Sequence, residues 1–383
     1  VGIRNIFRLK ITALLLVLVI GLLNFGCQPV HRGDSGKIPP SVGETIATPP
    51  SGEETIVVKD SLGRDVRVPA QVERIGCLYA FTGHVVAMLG QGQKIVAVVN
   101  GLKRDHLINE LVPAIANALV PSSDSTVNIE ELIKARPDVV FINGQTALNE
   151  GETAKLDKSG IPYLVVDFNN IIEQQYAIEM VGKAIGAEER ARAYNKFYQD
   201  CIDRVEKAVS GLPDKDRVKI YHSVNEASRT DIKGTLPADW MSRTGIINVS
   251  VNENLKMTDG KYYANLEQIY LWDPDLIMVN EPGVVKYILD SGQWSGLRAV
   301  QNKAVYQMPI GISRWGHPGS METPLAILWA AKTAYPDRLA DLNIVLESQQ
   351  FYKRFFNLEL SADDIAKVLK AEGMRKAKNS HEN

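Results

Sequence analysis

The chain has 383 residues, 45% of them hydrophobic and 23% charged, which is enough length and apolar content for a globular protein of two ordinary domains. Its 43 basic and 45 acidic side chains leave a formal charge of −2. That balance supplies no basic field for nucleic acid, and no Lys/Arg stripe interleaved with aromatics supplies one locally, so nucleic acid is not an expected partner.

The first ten residues, VGIRNIFRLK, carry Arg4, Arg8 and Lys10, and an apolar run of 13 residues follows, ITALLLVLVIGLL. The run is too short and too one-sidedly flanked for an ordinary membrane span, and it reads as an export signal. It closes on LLNFGC, where a small residue before a cysteine resembles the cleavage site of bacterial lipoproteins. Residues 1–26 are therefore expected to be a signal peptide and Cys27 the lipidated first residue of an extracytoplasmic, membrane-anchored protein. A plain secretory signal with an incidental cysteine, or an uncleaved anchor, is the alternative. Residues 27–54 are rich in Pro, Gly, Ser and Thr and read as a flexible tether. The other two cysteines, Cys77 and Cys201, sit in a strand-like and a helix-like run and are expected to be buried free thiols.

Folded patterning begins at TIVVKDSLGRDVRVP, two alternating runs around Leu62-Gly63 that predict a β-hairpin. Short apolar runs follow, RIGCLYA, KIVAVV, DVVFIN and YLVVDF, separated by polar or helical stretches. This is the rhythm of β/α units around a buried parallel sheet, and it defines an N-terminal lobe over 55–185. No strand signal appears from Ile171 to about Leu212. Gly186 offers a break there between two helices, and the second, a connecting helix within 186–212, stops at Gly211 and Pro213. The β/α rhythm resumes with RVKIYHSV, GIINVS, DLIMVN and AVYQMP, which defines a C-terminal lobe with C-terminal helices over 213–372 and leaves a tail at 373–383. The predicted fold class is α/β: two Rossmann-like lobes, each a mostly parallel sheet flanked by helices, joined by one long helix.

One phrase occurs twice, NIEELIKARPDVVFIN from Asn128 and NLEQIYLWDPDLIMVN from Asn265. In each, Asn is a good helix N-cap and the residue three places on, Glu131 or Gln268, completes a capping box. Apolar residues at helical spacing follow, Pro137 or Pro274 stops the helix, and Asp138 or Asp275 leads into a core strand. Architecture does not require Glu130 or Glu267. A first-turn carboxylate gains about 0.3–1 kcal/mol from the helix dipole, so helix stabilisation alone is one reading; two like-placed acids on two lobes also suit a partner that grips both lobes.

These segments in this order resemble the substrate-binding proteins of bacterial ABC importers for iron-siderophores, haem and cobalamin. The resemblance runs from about Ile56 to Leu369. It is carried by DSLGRDVRVP with RIGCLYAFTGHVVAMLG, both copies of the repeated phrase, the lone connecting helix, LPADWMSRTGIINVS, and ETPLAILWAAKTAYPDRLADL with FYKRFFNLELSADDIAKVLKA. It implies a membrane permease as partner, docked through one glutamate at the top of each lobe, and Glu130 and Glu267 match those positions. It implies a monomer, no catalysis and no intrinsic cofactor. The ligand expected is an iron complex, siderophore or haem, or a related metal chelate, with a corrinoid or a free transition-metal ion as alternatives. A sensory or enzymatic lipoprotein on the same fold is the rival of a different class. Against the enzyme, the chain has no GxSxG, P-loop, GxGxxG or CxxC.

In such sheets ligands sit outside the carboxyl ends of the strands, which points to the segments after each strand. The candidate ligand residues are Tyr79, Phe81, Asn100, Arg229, Tyr262, Tyr263, Arg314, Trp315 and His317. Arg314 would pair a carboxylate or catecholate oxygen, and Trp315 would offer a stacking face to a flat ligand. His317, Tyr79, Tyr262 or Tyr263 would serve as an axial ligand to haem. His84, His106, His222 and His317 follow no HxH or HxxxH spacing, which sets a bare metal ion below a chelate.

Overall fold

The computed structural model describes residues 54–123 and 125–376. The expected export signal, Cys27 and, apart from Glu54, the expected tether lie outside the described residues, as do the last seven residues of the expected tail.

The hairpin forms where the sequence places it. Strands β1 (Thr55–Lys59) and β2 (Asp65–Pro69) pair antiparallel from Thr55↔Pro69 to Lys59↔Asp65. The turn is tied by Asp60, whose Oδ1 accepts the Leu62 and Arg64 amides, both at 3.0 Å. Gly63 takes φ +78°, a conformation glycine adopts without a Cβ clash.

The N-terminal lobe is built on β3 (Ile75–Cys77), β4 (Ile95–Val99), β5 (Leu119–Ser123), β6 (Thr126–Val127), β7 (Val139–Asn143) and β8 (Tyr163–Val166), in the order β6-β5-β4-β3-β7-β8. All neighbours run parallel except β5 and β6. The apolar runs are buried on both faces, which is why they read as continuous rather than alternating. The C-terminal lobe repeats the design with β9 (Lys219–Ser223), β11 (Ile247–Asn248), β14 (Leu276–Val279) and β15 (Val305–Gln307) in the wholly parallel order β11-β9-β14-β15. A small antiparallel ribbon, β10 (Arg229–Thr230), β12 (Lys256–Thr258) and β13 (Lys261–Tyr263), is added to this lobe.

Each copy of the repeated phrase becomes a capped helix and a core strand, but the two caps differ. Asn265 accepts the Gln268 amide at 2.8 Å, and the Gln268 side chain accepts the Asn265 amide at 3.0 Å, so that box is complete. Asn128 accepts the Glu131 amide at 3.2 Å, yet its own amide donates to the Pro121 carbonyl at 2.7 Å. With that donor already satisfied by the edge of the sheet, the Glu131 carboxylate turns to the Val120 amide instead, at 3.4 Å. The expected box at Glu131 is thus half formed. Both helices close on a residue in the left-handed region, Arg136 at φ +49° and Asp273 at φ +40°, just before the proline. Asp138 then accepts the Glu73 and Arg74 amides at 2.8 Å and Asp275 the Lys219 amide at 2.8 Å, pinning each incoming strand to its neighbour.

The connecting helix spans Glu188–Val209, 22 residues or about 33 Å at 1.5 Å per residue. Gly186, at φ +70°, separates it from the preceding helix Ile171–Ala184. Arg190 donates from Nε to the Met88 carbonyl at 2.6 Å and from Nη2 to the Phe355 carbonyl at 2.8 Å, joining the first lobe to the C-terminal helices. Tyr194 stacks edge-on against Phe355 at 5.4 Å, and Phe197 lies 5.3 Å from the same ring. The Tyr198 hydroxyl donates to Gln174 at 3.1 Å and that of Tyr194 to the Met321 carbonyl at 2.6 Å. Cys77 and Cys201 are buried free thiols, and burial pushes the Cys77 pKa up to about 12.

Past the last helix, Ala362–Lys370, the chain does not trail off as the expected tail. Ala371 and Gly373 take left-handed conformations that reverse its direction, and Arg375 forms an antiparallel bridge with Asp105 of the other lobe.

Candidate functional site

The segments that leave the carboxyl ends of both sheets face each other across the cleft, and side chains from them form one charged network. Its centre is Arg314, on the loop after β15. Arg314 Nη1 donates to Glu281 Oε2 at 2.7 Å and to the Asn225 side-chain oxygen, and Nη2 donates to His317 Nε2 at 2.8 Å. Asn225 is held in place by the Asn280 side chain, which accepts its amide at 2.8 Å. Glu281 also meets Arg104 of the N-terminal lobe at 3.4 Å, so one carboxylate bridges two arginines across the cleft. Nearby, Asp105 pairs with Arg375 and lies 3.7 Å from His84 Nε2. His84 Nδ1 faces the Gly319 carbonyl at 3.3 Å, again lobe to lobe.

The loop that presents Arg314 is fixed from below by a buried carboxylate. Glu322, at the N-cap of the helix Thr323–Ala334, accepts the Ser313 amide at 3.1 and 3.2 Å, the Ser313 hydroxyl, and the Tyr352 hydroxyl at 3.2 Å. Burial pushes its pKa up to about 7, against the hydrogen bonds from Ser313. Gly311 is required there, because a Cβ would lie 1.9 Å from the Tyr352 hydroxyl. Gly316 takes φ +70° and offers its carbonyl to Trp240 Nε1 at 2.9 Å.

The electrostatics of the network follow from burial and like charge. Burial, then the neighbouring guanidinium of Arg375, brings the Arg314 pKa down to about 10, with Glu281 and Asp105 opposing. Burial, then Arg314, Arg375, Arg229 and His222, hold the His317 pKa well below its ordinary value. His317 is therefore neutral and its Nε2 accepts from Arg314. Burial works to raise the Asp105 pKa, but the adjacent His84 ring and the charge of Arg375 prevail and hold it below its ordinary value. His222 and Asp231 form a second buried pair at 2.5 Å, with His222 Nε2 left without a hydrogen-bond partner among the described residues.

The sequence-predicted residues divide into three groups. Arg314 and His317 are joined in the network, and Arg229 stands close enough to act on His317. Tyr262, Tyr263 and Arg229 belong to the β10–β13 ribbon, where Arg229 pairs with Tyr263 and the Tyr263 hydroxyl reaches Glu226 at 3.3 Å. Asn100 is exposed at the start of the short helix Asn100–Lys103. Trp315 and Phe81 are corrections: both are 0% exposed and packed in the core. The Trp315 ring faces inward and donates to the Tyr352 hydroxyl at 3.3 Å, so packing occupies the face expected to stack on a ligand. Phe81 packs on Phe168 at 4.6 Å, and half-buried Tyr79 covers the pair at 5.8 and 6.2 Å. Burial, then Asp167, raises the Tyr79 pKa, which keeps the phenol protonated.

Sequence reasoning missed Glu281 and Arg375. Glu281 lies two residues past the end of β14, where the strand-end rule would have found it. Arg375 carried no signal, because only the tertiary bridge to Asp105 brings it here. Glu130 and Glu267 are exposed, each at the second position of its helix and outside the network. Among the described residues no group of three or more His, Cys, Asp or Glu is placed to hold a metal ion, and no helix is long and apolar enough to cross a membrane.

Four similarities bear on this arrangement. The chain is 25% identical over 336 residues to the molybdate-binding protein MolA of Haemophilus influenzae, covering 81% of this chain and 93% of that one. It is 25% identical over 288 residues to YvrC of Bacillus subtilis, an uncharacterised ABC transporter substrate-binding lipoprotein, covering 74% and 86%. The crystal structure of a periplasmic solute binding protein from Veillonella parvula matches with a TM-score of 0.71 and 26% identity, over 84% of this chain and 98% of that one. The sequence profile of periplasmic binding proteins matches residues 75–310. The chain accordingly belongs to the periplasmic binding protein family, the extracytoplasmic solute-binding proteins, not enzymes, of ABC importers.

Proposed function

We propose that this protein captures a small ligand bearing anionic oxygens on a metal centre, a metal oxyanion or an anionic metal chelate such as a ferric siderophore, and delivers it to an ABC permease that docks on Glu130 and Glu267. The observation that carries the ligand class is Arg314. Its side chain is only 11% exposed, the charges of Arg375 and Arg104 act on it, Arg229 acts on the adjoining His317, and Glu281 is its one direct carboxylate partner among the described residues. Guanidinium groups present flat, always-charged donor forks that match oxyanions, and weakly hydrated arginines concentrated in one place favour an anion to complete them. A bare transition-metal cation meets the opposite field, and the neutral His317 beside it is already committed to Arg314. The likeness to a molybdate-binding protein agrees with the same chemistry. Retention at the membrane through a lipid on Cys27 is part of this reading.

The test is calorimetric titration of the purified protein with molybdate, tungstate, sulfate, and a ferric catecholate complex, in low and high salt. One metal-centred anion should bind with a Kd of roughly micromolar or below, with tryptophan fluorescence following the same curve. Binding of only a corrinoid, haem or free nickel, with all four anions silent, would overturn the ligand class.

A further inference from the structure

We propose that the segment after the last helix, Glu372–Lys376, is a strap that spans the two lobes and carries a ligand-gripping arginine, Arg375, into the cleft. The proposal rests on the anionic ligand reading and adds to it a third source of site residues, the C-terminal end of the chain. The strap starts from the C-terminal lobe, where the Val368 carbonyl accepts the Ile310 amide at 3.0 Å at the foot of the Arg314 loop. It ends on the N-terminal lobe as one short piece of antiparallel pairing. The His106 amide donates to the Met374 carbonyl at 2.9 Å, and the Lys376 amide donates to the Arg104 carbonyl at 3.0 Å. The Arg104 side chain returns two bonds to the Lys376 carbonyl, from Nη2 at 2.9 Å and Nε at 3.2 Å. Met374 is buried in the main hydrophobic core and seats the strap.

Arg375, between those two anchors, is placed for more than holding the strap. Its side chain is 8% exposed, and Nη1 pairs with Asp105. Its Nε is buried and has no hydrogen-bond acceptor among the described residues. A buried guanidinium N–H without an acceptor costs free energy, and such groups in native structures ordinarily find a partner. The Arg375 charge lowers the pKa of both Arg314 and His317, so it lies within electrostatic reach of that pair. An oxygen of an anionic ligand lying between Arg314 and Arg375 would take the free N–H and balance charge that Asp105 and Glu281 leave unbalanced. Loading would then tie both lobes to one anion through Arg314 and Arg375.

The experiment compares full-length wild type with Arg375→Gln, Arg375→Lys and Asp105→Asn/Arg375→Gln, using molybdate and the ferric catecholate complex as probes. Protection of the His106 amide from hydrogen exchange reports whether the strap is still paired. Arg375→Gln should weaken binding of the wild-type ligand at least about tenfold, the loss of one charge-assisted hydrogen bond, with His106 still protected. Arg375→Lys keeps the charge without the fork and should recover only part of the loss. The double variant should stay weak. Wild-type affinity in Arg375→Gln, or its return in the double variant, would overturn the proposal, since Arg375 would then only neutralise Asp105. Weak binding that appears only where His106 protection is also lost would reduce Arg375 to a fastener of the strap and overturn it as well. If wild type binds neither probe, and tungstate and sulfate are silent as well, the ligand reading itself falls and this inference falls with it.

Discussion

Replacing Glu281 by Gln should separate two effects that the cleft network combines. Glu281 meets Arg314 at 2.7 Å and Arg104 at 3.4 Å, from side chains that are 11–18% exposed. Its carboxylate takes, between Arg314 and Arg104, the electrostatic role assigned to the ligand. Breaking a fully buried ion pair costs about 3–5 kcal/mol. Gln keeps a carbonyl acceptor and the site retains some solvent, so the fold should lose about 2 kcal/mol. For the ligand the sign reverses. A unit charge about 5 Å from a unit anion contributes about 3 kcal/mol at an effective dielectric of 20. Partial screening brings this to about 1–2 kcal/mol, a roughly five- to thirtyfold gain in affinity. Thermal melts without ligand should therefore show Glu281→Gln less stable than wild type, while titration with the metal-centred anion that wild type binds shows it tighter. A destabilised variant with equal or weaker affinity would refute the reasoning, because Glu281 would then be a ligand contact or a support for the site rather than a competitor with it.

Glu322 should make stability fall with rising pH. Burial raises its pKa to about 7 from an ordinary 4.5, so the native state holds the proton that the unfolded chain releases. The stabilisation is complete below pH 4.5 and is lost as pH rises through 7, by of the order of 3 kcal/mol at one pKa unit per 1.36 kcal/mol. Denaturant titrations of Glu322→Gln between pH 5 and 8 should lack that slope; an unchanged slope would assign it elsewhere. Reversing both exposed acids, Glu130→Arg with Glu267→Arg, should leave the fold and ligand affinity nearly intact, since each loses at most about 1 kcal/mol of dipole stabilisation. The double variant should abolish permease binding in a reconstituted pull-down, with each single reversal intermediate, and loss of ligand affinity with docking preserved would refute the assignment.

What the sequence made legible was local or repeated. The hairpin at Leu62-Gly63, the break at Gly186, the proline stops and the two Asn caps depend on neighbours a few residues apart, where backbone sterics decide. Where a distant group competes, the reading failed: Glu131 lost its box because the Pro121 carbonyl, across a sheet edge, already held the Asn128 amide. The site shows the same division. Arg314 and His317 lie in one Gly- and Pro-rich loop and were found together. Trp315, one residue from Arg314, turns the other way into the core, an orientation set by Tyr352 and by the Gly311 contact rather than by loop composition. Arg375 is adjacent to nothing functional in sequence and reaches the cleft only through strand pairing with Asp105.

The connecting helix has a mechanical consequence. Arg190 fastens it to the end of one lobe and to Phe355, the Tyr198 hydroxyl ties it back to Gln174, and its aromatic face is wedged against Phe351 and Phe355. A hinge needs residues free to turn, and these are fastened from several sides. The span between the tips of the lobes would then be a gauge of nearly constant length, whether the cleft is filled or empty. A transporter gripping both tips would measure almost the same object in either state. News of cargo would have to travel through small rotations at the rim and through how long the two proteins stay together, so empty and loaded molecules would compete for the same doorway in proportion to their numbers.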